Sequence, residues 1–297
     1  VGDLKTLSLV EPGDQVRLDN SNFLAAQTYH RHQVPDASYK VWDQFRDSQG
    51  KAIYPQRKIN LGPMFAMGAA GTVPSGKFNG KVIVVESLLD REAFPWQADW
   101  HRQRFDENLG KDGTNRYRIW FTENALHGSG EDVNALTRVI DYNAVLQQAL
   151  RDVSAWVEKG IAPPSTTSYS ISNGQVTVAA SAAKRGGVQP VVMLSANGSQ
   201  RAEVKAGQKV DFAAVIEVPK RAGKVVAAQW DFDGNGSFPV SASITTPTGR
   251  AKLQQSHTFE KPGTYFVTIK AFSQRQGDPK TPYARIPNLA RVRVVVR

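Results

Sequence analysis

The chain has 297 residues, of which 40% are hydrophobic and 22% charged, a globular composition long enough for about two domains. It contains no Cys, which excludes disulfides, thiolate nucleophiles and Cys-ligated zinc, and no apolar run is long enough to span a bilayer. The net charge of +10 suits an anionic partner or solubility alone. It opens at Val1 without a Met or a signal-like apolar segment, as expected of a processed chain or a piece of a longer one.

The first sixty residues hold no clear strand–helix alternation. Tyr29-His30-Arg31-His32 puts two imidazoles on one face if the segment is extended. A metal pair is one option there. No third ligand cluster matches it, so a solvated or substrate-entry loop is preferred.

From about residue 81 the pattern alternates. Residues 81–86 hold a continuous apolar run, Val82 to Val85, as in a parallel strand buried on both faces. Residues 95–109 follow as a helix, with Pro95 in its first turn and Trp96, Trp100 and Phe105 as an aromatic stripe packing on the sheet. Residues 117–122 form the next strand and 141–158 the next helix. Asp90 lies just beyond the first strand, where open α/β sheets place their chemistry. His127 lies just beyond the second, on a Gly-flanked loop. A carboxylate at Asp90 can hold the imidazole Nδ1–H and leave the other nitrogen as general base. Glu86 and Asp99 are rival acids, the first inside the strand and the second inside the helix.

Residues 60–165 resemble the C-terminal part of an α/β-hydrolase. The resemblance rests on the strand ending in Ser87-Leu88-Leu89-Asp90, the strand leading to His127, and the closing helix. The end of that helix, from Ala155 to Pro163, is similar to tannase- and esterase-like members. That family orders its triad Ser, acid, His. The resemblance therefore implies Asp90 as acid, His127 as base, and an ester substrate. The nucleophile would sit in Gly-x-Ser-x-Gly upstream, and no such motif occurs in the chain. Ser75 has a small neighbour but no strand–turn–helix context.

Beyond residue 188 the texture is short β-branched runs separated by Gly and Pro, the pattern of a β-sandwich. Residues 166–187 read as a linker. Trp230-Asp231-Phe232-Asp233-Gly234-Asn235-Gly236, then His257-Thr258-Phe259 and Pro262-Gly263-Thr264-Tyr265-Phe266-Val267, together resemble a polycystic kidney disease (PKD) domain, an immunoglobulin-like sandwich. The loop departs from the family at Asp233-Gly234-Asn235-Gly236. Asp231, Asp233 and Asn235 match the first half of a calcium loop, but Ala242 stands where the closing Glu would be. A turn closed by Asx hydrogen bonds is preferred over a bound calcium ion. Residues 188–297 carry 16 Lys and Arg against 7 Asp and Glu, so almost all the net charge belongs there. An anionic polymer or cell surface is one partner for it. The cations are scattered and no nucleic-acid motif accompanies them.

The expected fold class is thus α/β plus all-β. The C-terminal portion of a doubly wound hydrolase sheet (1–165) is joined through 166–187 to an immunoglobulin-like sandwich (188–297). The expected function is the acid–base half of a secreted or periplasmic bacterial serine hydrolase, with the nucleophile outside this chain. The chain alone is then inactive, and a separate N-terminal hydrolase piece is an expected partner. The alternative is a non-catalytic extracellular binding or adhesion protein on a degenerate α/β scaffold.

Overall fold

The computed structural model describes residues 13–15, 34, 36–38, 40–54, 56, 75–110, 113–128 and 136–297. The chain divides into two compact units, Val1–Pro74 and Ser75–Arg297. In the first, a 3₁₀ helix spans Lys40–Phe45. A turn follows it, closed by an Arg46–Ala52 bridge and by the Asp47 carboxylate, which accepts the N–H groups of Gln49 and Lys51. His30 and His32 lie outside the described residues.

In the second unit, β1 (Val82–Ser87) leads to α1 (Trp96–Leu109), a helical turn α2 (Gly113–Arg116), β2 (Tyr117–Thr122) and α3 (Asn143–Lys159). β1 and β2 pair in parallel, Val82 opposite Tyr117 and Ser87 opposite Thr122. Side chains alternate across a strand, so one run of apolar residues serves two layers. Val82, Val84, Tyr117, Ile119 and Phe121 pack with Ala98 and Phe105 of α1. Ile83, Val85 and Trp120 face the other way and pack with Val145 and Ala149 of α3. Helices therefore cover both faces, as in α/β proteins. Among the described residues this sheet has two strands, so a complete doubly wound sheet is not seen there.

The aromatic stripe expected on α1 is split. Phe105 is buried among Phe78, His101 and Tyr117, whereas Trp96 stacks on Phe94 and Trp100 lies under Arg104. Five residues at 3.6 per turn carry Phe105 about 140° round the helix from Trp100, off that face. β1 itself is half-buried along most of its length rather than fully buried.

Residues 166–187 hold more than a connection. A hairpin of β3 (Tyr169–Ser172) and β4 (Gln175–Val178) packs Tyr169, Val176 and Val178 against the α1 layer. The short α4 (Ala182–Arg185) follows.

The remaining strands are β5 (Val191–Ala196), β6 (Arg201–Val204), β7 (Lys209–Glu217), β8 (Lys224–Asp231), β9 (Val240–Ser241), β10 (Arg250–Thr258), β11 (Gly263–Gln274) and β12 (Ile286–Val296). They form two sheets, β10-β7-β5 and β6-β12-β11-β8-β9. Every second residue of β7 points inward, Val210, Phe212, Ala214 and Ile216, to meet Trp230, Val267, Ile269 and Val294 from the other sheet. This is the all-β sandwich expected from the sequence.

The sandwich and the α/β layer share a core. Val188, Ala222 and Ile286 belong to the same buried cluster as Trp120, Val145 and Ala149. The ion pair of Arg275 with Asp152 on α3, at 2.6 Å, adds a polar clasp.

Candidate functional site

Parallel pairing sends the C-terminal ends of β1 and β2 to the same edge, and the two loops that leave them are tied together. Leu88 N–H donates to Thr122 O at 2.9 Å and Leu89 N–H to Ala125 O at 3.0 Å. A tight turn follows β1, with Asp90 N–H on Ser87 O at 3.2 Å. The loop after β2 reverses at Asn124, whose φ of 60° is left-handed, a conformation that Asn tolerates better than most residues.

These two turns bring Asp90 to His127. The Asp90 Oδ2 lies 2.8 Å from His127 Nδ1. Its Oδ1 accepts the backbone N–H groups of Glu92 and Ala93, each at 2.8 Å. The carboxylate is thus held from both sides, and its side chain is only 8% exposed against 51% for His127. Because Asp90 accepts at Nδ1, the Nε2 atom is the one presented outward. The carboxylate facing it is Glu92, at 3.9 Å. The hydrogen bond from Asp90, then its charge, holds the imidazole above the usual histidine range, with smaller contributions from Glu92 and Glu86. Tyr142 O–H donates to the His127 carbonyl at 3.3 Å.

The rival acids are placed elsewhere. Burial, then the charge of Asp90, pushes the Glu86 carboxyl up to about 8, so at neutral pH it is mostly protonated and a poor counter-ion. Asp99 accepts from Arg102, Gln103 and Tyr169. Burial raises its carboxyl, but those hydrogen bonds outweigh it and hold the group below the usual range. Asp99 therefore fastens the hairpin onto α1. Ser75 is at the wrong end of the layer. Its carbonyl accepts from Asn108, in the last turn of α1, while the dyad lies before the first turn. The 14-residue helix between them is about 20 Å long.

No role was expected of Glu92, Asn124 or Tyr142. An Asn two residues past a strand was a legible sign of a left-handed turn. Tyr142, fifteen positions beyond His127, left no local signal.

At the other candidate site, the three side chains differ in burial. Asp231 is fully buried, and its two oxygens accept the N–H groups of Gly234 at 2.8 Å and Gly236 at 2.6 Å. Asn235 Oδ1 accepts from Ser237 N–H at 2.9 Å, and both Asp233 and Asn235 face outward. Each of these acceptors of Asp231 and Asn235 takes a backbone N–H within the loop, as in the Asx-closed turn preferred from the sequence. Among the described residues, no group of three or more His, Asp or Glu is placed to hold a metal. His257 stacks flat on Phe232 at 4.4 Å and packs edge-on against Phe259. Burial lowers its pKa, against a smaller opposing effect of Asp233.

Among the described residues, no helix is long and apolar enough to cross a membrane. Much of the basic charge of the sandwich is locally engaged. Arg201 and Arg297 pair with Glu203, Arg250 pairs with Glu217, and Arg291 lies 5.0 Å from the Phe266 ring centre.

No curated protein matches the chain. Solved structures that match part of the chain include two β domains. One is the PKD domain of an M14-like peptidase from a Thermoplasmatales archaeon, with 16% identity and a TM-score of 0.25 over 36% of this chain and 92% of that one. The other is the CARDB domain of a Pyrococcus furiosus protein in complex with di-metal ions, with 13% identity and a TM-score of 0.27 over 37% of this chain and 88% of that one. The family match is confined to the sandwich: residues 193–278 match the PKD domain family, and this segment is a PKD-like β-sandwich domain.

Proposed function

We propose that the α/β part of this chain is the acid–base half of a serine hydrolase acting on esters. The observation that carries the proposal is the Asp90–His127 pair, at 2.8 Å, with the acid side chain buried and Nε2 turned outward, 3.9 Å from Glu92. Asp90 fixes the tautomer and stabilises the imidazolium. A serine supplied from outside the described residues attacks the ester carbonyl carbon and passes its proton to His127 Nε2. The tetrahedral adduct expels the alcohol, which takes that proton from the imidazolium, leaving an acyl-enzyme. Water then repeats the sequence and releases the acid. A secreted or periplasmic setting suits a chain with a PKD-like domain.

The test is labelling of the intact natural gene product with a fluorophosphonate probe. The expected result is one modified serine outside this chain, with labelling lost in His127→Ala. Absence of labelling in the folded gene product would sink the hydrolase reading.

A second reading is a non-catalytic binding or adhesion protein, with the α/β part as scaffold. The comparisons lend it more support, because the family match lies wholly in the sandwich and no described hydroxyl reaches His127 Nε2. Retention of the purified chain on an anionic polysaccharide, together with failure to label, favours it.

A further inference from the structure

The histidine loop is held from the sandwich side. At its start, Glu123 N–H donates to Gln189 Oε1 at 2.8 Å, and Gln189 Nε2 returns a bond to Glu123 O at 3.0 Å. The Glu123 carboxylate pairs with Arg185 and accepts from Asn288. Asn124 Nδ2 donates to Asn288 Oδ1 at 2.8 Å, across 164 positions of sequence. Asn288 is itself fixed, since its Nδ2 donates to Pro190 O at 2.7 Å and its side chain is 1% exposed. The next loop residue, Ala125, is fully buried in a cluster with Ile140 and Leu289 of β12. Ala125 O in turn accepts from Leu89, next to Asp90. A line of contacts thus runs from the buried Asn288 and Leu289 of β12 through residues 123–125 to Leu89, which precedes Asp90, while His127 follows Ala125 by two positions along the chain.

We infer that Asn288, with Gln189 and Leu289, is a positioning residue of the sandwich that sets the histidine loop and so aligns His127 with Asp90. Asn124 carries the left-handed turn that re-aims the chain toward His127, and a loop held only by its own backbone would sample other turns. The buried amide of Asn288 removes that freedom, and truncating it leaves Asn124 Nδ2 with the longer bond to Leu289 O, at 3.4 Å, and takes the Asn288 donor from Pro190 O. The sandwich then belongs to the construction of the site and is not a spacer beside it.

This inference rests on the proposed acid–base role of the pair, but its test reads geometry rather than turnover. His127 is followed by NMR from low to high pH in the chain, with its signals assigned by their loss in His127→Ala. Asp90, Glu92 and Glu86 are the titrating groups that face it. In the unaltered chain the Nδ1–H resonance is expected downfield and protected. In Asn288→Ala that resonance is lost and the titration midpoint falls toward the ordinary histidine value.

Asn124→Gly keeps the left-handed turn, removes the amide from the other side, and is expected to do the same. The Asn124–Asn288 bond is common to both variants, so the double variant should move His127 by less than the sum of the two single shifts. If Asn288→Ala does not fold, Asn124→Gly and Gln189→Ala decide the outcome. Unchanged titration of His127 in folded Asn124→Gly, or additive shifts in the double variant, overturns the inference. A shift in these variants with no fluorophosphonate labelling of the gene product retains the positioning and discards the hydrolase.

Discussion

Gly236 of the sandwich lies against the side chain of Leu136, so closely that a Cβ on the glycine would come within 2.5 Å of Leu136 Cβ. Its φ of +86° is also one that L side chains rarely adopt. Gly236→Ala therefore combines backbone strain with a clash. A loss of about 1–3 kcal/mol is expected in urea unfolding. Leu136→Gly in the same background should recover part of it, since the closest contact is with Leu136 Cβ itself and only its removal leaves the strain alone.

The loop that carries Gly236 depends on Asp231. Both oxygens of this buried carboxylate accept backbone N–H groups, so Asp231→Ala orphans two half-buried donors. The expected cost is about 2–4 kcal/mol. As an Asx-closed turn, this loop should leave the melting temperature of the unaltered chain unchanged by millimolar calcium or a chelator. A rise in melting temperature with calcium would show binding to the folded state.

Glu86 makes stability depend on pH. Its folded pKa, pushed up to about 8 from the ordinary 4.5, means the folded state holds a proton that the unfolded chain releases. Stability then falls as pH rises between these two values. Glu86→Gln keeps the shape without the charge. It should be more stable than the parent at pH 9, by at least about 1 kcal/mol, and nearly equal at pH 4. Melting curves at the two pH values give the comparison.

The dyad runs the same way. His127 is raised by Asp90, so the charged pair contributes fully below the unfolded histidine pKa and fades as pH climbs through the folded one. With His127 half-exposed, that contribution is at most about 1 kcal/mol. Asp90→Asn should lower the melting temperature more at pH 5 than at pH 9. An equal loss at both would show that Asp90 acts only through its bonds to Glu92 and Ala93.

Much of this was legible in the sequence for a local reason. The two-fold alternation of β7 and the apolar runs of β1 and β2 are short-range patterns. The Asp90 and His127 positions follow from strand ends alone. What escaped is long-range. Nothing near Asn288 signals a partner at Asn124, since that bond exists only once β12 has paired with β11 and swung back to β2. The hairpin of residues 166–187 escaped because its short strands, half-exposed and rich in Ser and Thr, look like a linker. Phe105 was misjudged by angle: five residues is not a whole helical turn.

The cluster that joins Trp120 and Val145 to Val188, Ala222 and Ile286 has a consequence for how such a chain can be rearranged by recombination. A domain strung on a loose tether can be cut out and spliced elsewhere, carrying its surface intact. Here an excision before residue 188 would bare a greasy face on both fragments, and each would be left to cover it by sticking to something else. Inheritance of the two parts as a pair, with matched changes on either side of that seam, is the pattern this packing favours.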